Sequence, residues 1–193
     1  MRGHRLLIAA LVLALVQIGF LTWIIMARAA VLRDGREVIL KVEPVDPRDL
    51  LRGDYVRLGF DIGRIPVELI RNVPAGTFDT QDGSIHVRVS KGDDGYWHAV
   101  SATLDAPSGV EPGPDEAEMR GTVHDGRSLA PGTSIDVEYG LERFYLPEGE
   151  GIAIENDMRV RPFAIKVAVA EDGTSQIKAL LDGDKTLFEE PLY

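Results

Sequence analysis

Residues 6–27 of this chain read LLIAALVLALVQIGFLTWIIMA, 22 residues without a charge. As a helix they span roughly 33 Å, enough for a bilayer core of about 30 Å. Gln17 and Thr22 interrupt the run only mildly. Arg2 and Arg5 precede it, and Trp23 lies near its far end, where aromatic rings favour the membrane interface. Ala27-Arg28-Ala29 also fits a small-x-small cleavage site. The apolar run, however, exceeds the roughly 7–15 residues of a signal-peptide core. The reading is therefore an uncleaved anchor over residues 1–29, followed by one domain over residues 30–193. Arg28, Arg33, Arg36 and Lys41 follow the run. Long domains translocate largely regardless of such charges. A short basic head before a long apolar run predicts an amino terminus inside the cytoplasmic membrane and a domain outside it.

All 31 acidic residues but only 18 of the 21 Lys and Arg lie beyond residue 30, a formal charge of −13. Such a surface repels nucleic-acid phosphates, so no nucleic-acid partner is expected. The chain has no cysteine, which excludes disulfides, thiolate nucleophiles and Cys-based metal sites. Twenty Gly and 11 Pro fall at turn-like intervals along it, which suits many short strands.

Strand patterns dominate the soluble part. In residues 55–62, YVRLGFDI, Val56, Leu58, Phe60 and Ile62 alternate with Tyr55, Arg57, Gly59 and Asp61. Residues 84–90 and 96–104 flank KGDDG, a strong hairpin signal. Residues 163–170 and 174–181 form a second hairpin around Glu171-Asp172-Gly173. Further strands are predicted over 36–45, 118–125, 133–139 and 185–188, nine in all. Short helices are expected after Pro66 and over 151–158. The Gly- and Pro-rich stretch 105–118 reads as a loop, the most mobile part of the domain. No long amphipathic helix alternates with the strands, which argues against a doubly wound fold. The predicted class is mainly β: a small antiparallel sandwich or partly open barrel carried on one N-terminal helix.

The chemistry-bearing motifs are sparse. Arg52-Gly53-Asp54 is better explained as a turn into a strand than as an adhesion tripeptide. Ser175 and Lys178 have the S-x-x-K spacing, but that chemistry needs a helix and this segment reads as a strand. His86 and His98 fall on the two arms of the first hairpin, where ordinary sheet residues are the expected reading. Asp93-Asp94 and Asp182-Gly183-Asp184 lack the terminal Glu of an EF-hand loop. No Gly-rich loop opens a helix. No cofactor, metal ligand or catalytic residue is expected.

With these residues in place, the chain resembles the bacterial GDYXXLXY family. The namesake motif reads Gly53-Asp54-Tyr55-Val56-Arg57-Leu58-Gly59-Phe60, with Phe in the last place where the family has Tyr. Val45-Asp46-Pro47-Arg48-Asp49-Leu50 is similar to the usual approach to the motif. Residues 139–149, YGLERFYLPEG, are similar to a second signature. The resemblance implies an anchored extracytoplasmic domain, often encoded beside multi-pass membrane proteins, and no particular reaction. The expected function is an accessory module for such a multi-pass protein, with residues 6–27 as its membrane contact. Gly53, Asp54, Tyr55, Leu58, Phe60, Glu142, Tyr145, Pro147 and Glu148 are the candidate partner-binding residues. Two other classes compete. One is an envelope hydrolase using a carboxylate pair drawn from Asp54, Glu142 and Glu148. The other is a calcium- or sugar-binding module. Oligomeric state is open.

Overall fold

The computed structural model describes residues 2–44, 55–73, 83–123, 130, 132–145 and 161–191. One helix, α1 (Arg2–Asp34), leads directly into strand β1 (Arg36–Pro44) through the single residue Gly35. Every side chain from Leu6 to Arg28 is exposed. The helix then continues five residues past the anchor boundary expected at Ala29. Ala29 and Leu32, one turn apart on one face, are buried at 3% and 1% exposure. They pack where α1 meets strands β9 (Phe163–Val169) and β10 (Ser175–Asp182). Tertiary burial, rather than the end of the apolar run, sets the helix end.

The remaining strands are β2 (Tyr55–Phe60), β3 (Arg64–Pro66), β4 (Gly83–Lys91), β5 (Trp97–Leu104), β6 (Glu116–Val123), β7 (Ser134–Glu138), β8 (Arg143–Tyr145) and β11 (Lys185–Glu189). They form two antiparallel sheets, ordered β11-β10-β9-β1-β2-β8 and β3-β7-β6-β4-β5. Nine of the eleven strands follow the predicted segments. The two additions, β3 and β8, are three residues long, too short to show a period. The helix expected after Pro66 is a single 3-10 turn, Val67–Leu69. The one expected over 151–158 lies outside the described residues.

One core joins the sheets. On β4, Ile85, Val87 and Val89 are fully buried, while Ser84, His86, Arg88 and Ser90 alternate with them on the other face. Val38 and Leu40 of β1 and Ile165 and Val167 of β9 meet them from the six-stranded sheet. That sheet curls. Phe144 on its β8 edge and Phe188 on its β11 edge have ring centroids 6.4 Å apart. The architecture is a sandwich with one sheet rolled part of the way to a barrel.

The two sheets are also tied through backbone. The tip of the β9–β10 hairpin reaches β6, where the Arg120 amide donates to the Gly173 carbonyl at 2.9 Å. Gly173 has φ of +81°, and a Cβ there would lie 3.0 Å from the Arg120 nitrogen. Glycine is required on both counts. On the far edge, the Arg71 amide donates to Ala102 at 2.9 Å and the Asn72 side chain bonds both backbone groups of Leu104. These bonds cover part of the β5 edge, which blunts strand-to-strand association.

Candidate functional site

The two signature segments are neighbours. β2 pairs with β8 in the register Tyr55↔Tyr145, Val56↔Phe144 and Arg57↔Arg143. The pairing continues through the Leu58 amide, which donates to the Glu142 carbonyl at 2.9 Å. Sequence reasoning placed both segments among the contact residues without placing them side by side.

Three further contacts lock the pair. Gly140, at φ of +76°, turns the chain between Tyr139 and Glu142. The Glu142 carboxylate closes this turn by accepting from the Tyr139 amide at 2.6 Å. The Tyr139 hydroxyl crosses to the exit of β2 and donates to the Ile62 carbonyl at 2.8 Å. Burial raises the Tyr139 phenol well above its ordinary pKa, and the charges of Glu142 and Asp61 add to this. A phenol held neutral in this way acts as a donor. Replacing Tyr139 by Phe leaves the Ile62 carbonyl without its partner. The expected loss is about 1–2 kcal/mol, read as a lower thermal midpoint with the ring still packed.

The structure separates the candidate residues into groups. Leu58 and Phe60 are 2% and 5% exposed and belong to the core. Their place in the motif is explained by packing. Glu142 is half-buried and its carboxylate serves a backbone amide. Tyr55 and Tyr145 are opposite one another in the β2–β8 ladder. Gly53, Asp54, Pro147 and Glu148 lie outside the described residues.

At the end of β2 stands a cluster that the sequence reading passed over. Asp61 opens a 3-10 turn, and its Oδ2 lies 2.8 Å from His98 Nδ1 on β5. Nε2 of the same ring is 3.1 Å from the Asp94 carboxylate in the β4–β5 turn. The signal was present as Asp94 and His98, four residues apart, but nothing local connects either to Asp61. His86 is not part of this group. The register sets His86 against Thr103 and His98 against Ser90. Among the described residues, no group of three or more His, Asp or Glu side chains is arranged to hold a metal ion.

Hydrogen bonding to Asp94, and then to Asp61, raises the His98 pKa above its ordinary value. The same contact with His98 lowers that of Asp94. A raised folded-state value makes the contribution complete below about pH 6.5, the unfolded value. It is lost as the pH rises through the folded-state pKa. The ring is 42% exposed, so solvent screens the pair and the effect is small. Thermal midpoints taken at pH 5.5 and 8.5 should show this contribution in the wild type and lack it in His98→Gln. An identical pH dependence in the two proteins would show that the His98 contacts with Asp61 and Asp94 contribute nothing to stability.

Among the described residues, the outer face of the five-stranded sheet carries the most buried charged side chain. Arg88 is 7% exposed and meets Glu118 at 2.9 Å, Glu116 at 3.1 Å and the Ser108 hydroxyl at 2.7 Å. It also donates to the Val110 carbonyl. From the other side, Arg36 donates to the carbonyls of Gly113 and Glu116. The 105–118 segment, expected to be mobile, is therefore strapped to the sheet at two points. The S-x-x-K pair also lies on a strand, β10, with the Lys178 ammonium held by Glu37 at 2.7 Å.

These features define a class: a two-sheet β domain joined without a linker to one N-terminal helix. By length and composition that helix fits a membrane span or a signal sequence. The chain belongs to the GDYXXLXY family, whose model matches residues 17–180. No curated protein and no solved structure matches it.

Proposed function

We propose that this chain is an anchored accessory module. Its helix spans the cytoplasmic membrane, its acidic domain faces outward, and it engages a multi-pass membrane protein. One observation carries the reading. The helix is exposed on every side from Leu6 to Arg28 and is then fixed to the domain at Ala29 and Leu32. A predominantly apolar helix exposed on every side needs lipid or another helix around it. The short stretch of helix from Ala29 to Asp34, at roughly 1.5 Å per residue, keeps the domain close to the bilayer surface. Burial of Ala29 in a helix also favours retention of the anchor over cleavage there. The carboxylate-pair hydrolase draws no support from Glu142, whose carboxylate is bound to the Tyr139 amide.

The test is recovery from native membranes. The full-length mass should stay with the membrane fraction through an alkaline wash, and the domain should be open to protease from the outer side. Mild detergent should recover it together with an integral membrane protein. A full-length chain found free in the soluble fraction, or always recovered alone, would overturn the reading.

A further inference from the structure

Where the helix leaves the proposed bilayer, it forms one wall of a cleft of about 1260 Å³. Ala27 and Val31 line the helix side. Pro107 and Val110 of the strapped loop line the opposite side. We propose that this cleft receives the outer end of a neighbouring transmembrane helix that carries Lys or Arg. The inference rests on the accessory-module reading and names its docking surface.

Three observations point to that occupant. The first is continuity: the cleft begins at Ala27, the last residue of the apolar run, so an occupant there is already beside the lipid-facing helix. The second is an apolar contact held in place. Val110 is 69% exposed, the most exposed large hydrophobic side chain among the described residues beyond the helix. Its backbone is fixed by Arg88, so its exposure is built into the fold. The third is charge. Asp34, Glu111 and Glu171 line the cleft and are exposed, and no described side chain forms an ion pair with them. Its two cations are engaged, Arg28 near Glu190 at 3.9 Å and Arg36 on backbone carbonyls. An apolar floor with an acidic rim is complementary to an apolar helix with a basic end. The cleft is also larger than the roughly 300–1,000 Å³ of small-molecule pockets, which fits a helix end.

The experiment places a photoreactive side chain at Val110 of the full-length protein in native membranes. A second variant carries it at Trp23, on the lipid-facing helix. The Val110 adduct should map to a peptide at the outer end of a transmembrane segment bearing Lys or Arg. Asp34→Lys, Glu111→Lys and Glu171→Lys together should lower its yield at least tenfold while the thermal midpoint holds. Raising the salt should lower the wild-type yield. Attachment only to lipid, to a second copy of this chain or to a soluble protein would overturn the proposal. So would a yield that ignores both the charge reversals and salt. If Trp23 attaches to an integral membrane protein and Val110 does not, the cleft proposal fails and the accessory reading stands. If neither attaches to one, both fail.

Discussion

Alanine in place of Gly35 should cost about 3 kcal/mol, the upper part of the range for forced overpacking. A Cβ at this position would lie 2.4 Å from the Val31 carbonyl oxygen and 3.1 Å from the Val169 nitrogen. Both neighbours are backbone, so neither can swing aside. The Val31 oxygen already accepts the Gly35 amide at 2.9 Å, the last bond of the helix. Relief requires unwinding that turn or moving β1. The strand cannot move alone, because Arg36 pairs with Val169 at the next residue and β1 is central in its sheet. For a chain of this size, a change of about 3 kcal/mol lowers the thermal midpoint by roughly 6–12 °C. Protease cutting near the helix–strand junction should rise with it. A midpoint unchanged within a degree would show that the joint is looser than its geometry. In the accessory reading this joint holds the domain at a fixed height and angle over the membrane. The variant should then also weaken association with the partner.

The second large effect is expected at Arg88. Leucine there removes the cation facing the Glu118 carboxylate, which is 13% exposed. Burial by itself would raise the Glu118 pKa. Hydrogen bonds from Ser108 and Arg88 outweigh it and hold the carboxyl below its usual range. Breaking one side of a buried ion pair costs about 3–5 kcal/mol, because the remaining charge stays uncompensated. Arg88→Leu should therefore lower the thermal midpoint and release residues 107–112 to proteolysis. The double variant Arg88→Leu/Glu118→Leu should recover much of the loss, as removing both charges often does. A double variant no more stable than the single one would move the cost from electrostatics to packing. The loop result also bears on the proposed cleft, since Val110 keeps its exposed position only while Arg88 holds the loop.

Much of the fold was legible in the sequence, for a simple physical reason. A strand with one face in the apolar core must alternate in polarity, and β4 and β6 do so along most of their length. Tight hairpin turns favour positive φ, and Gly95 and Gly173 mark the two predicted hairpins, with Gly183 at the β10–β11 turn. The short strands β3 and β8 were missed because three residues hold no period. They exist only because β7 and β2 offer them partners. The 105–118 segment was misjudged for the opposite reason. Its Gly and Pro content keeps 105–115 out of helix and strand, whereas 116–118, expected as loop, already belong to β6. Order in the loop comes from side-chain bonds that originate on Arg88 and Arg36.

The candidate site divides along the same line. Leu58 and Phe60 stood out as part of a fixed motif, and alternation alone put them on one face with Ile62. Whether that face met a partner or the core was not written locally; the opposing sheet decided it. Tyr139 bonding to Ile62 spans 77 positions, and Asp61 to His98 spans 37. By itself, then, the sequence determined an apolar helix of membrane-spanning length, an acidic domain and a set of alternating strands. These follow from solvent preference and local backbone sterics. Only the tertiary structure decided that the helix runs into the domain through Gly35 and packs on it at Ala29 and Leu32, that the two signatures form adjacent strands, and that the Gly- and Pro-rich loop is hydrogen-bonded in place beside the helix. Those outcomes depend on which distant groups share a hydrogen bond or a cavity wall, and no local pattern carries that information.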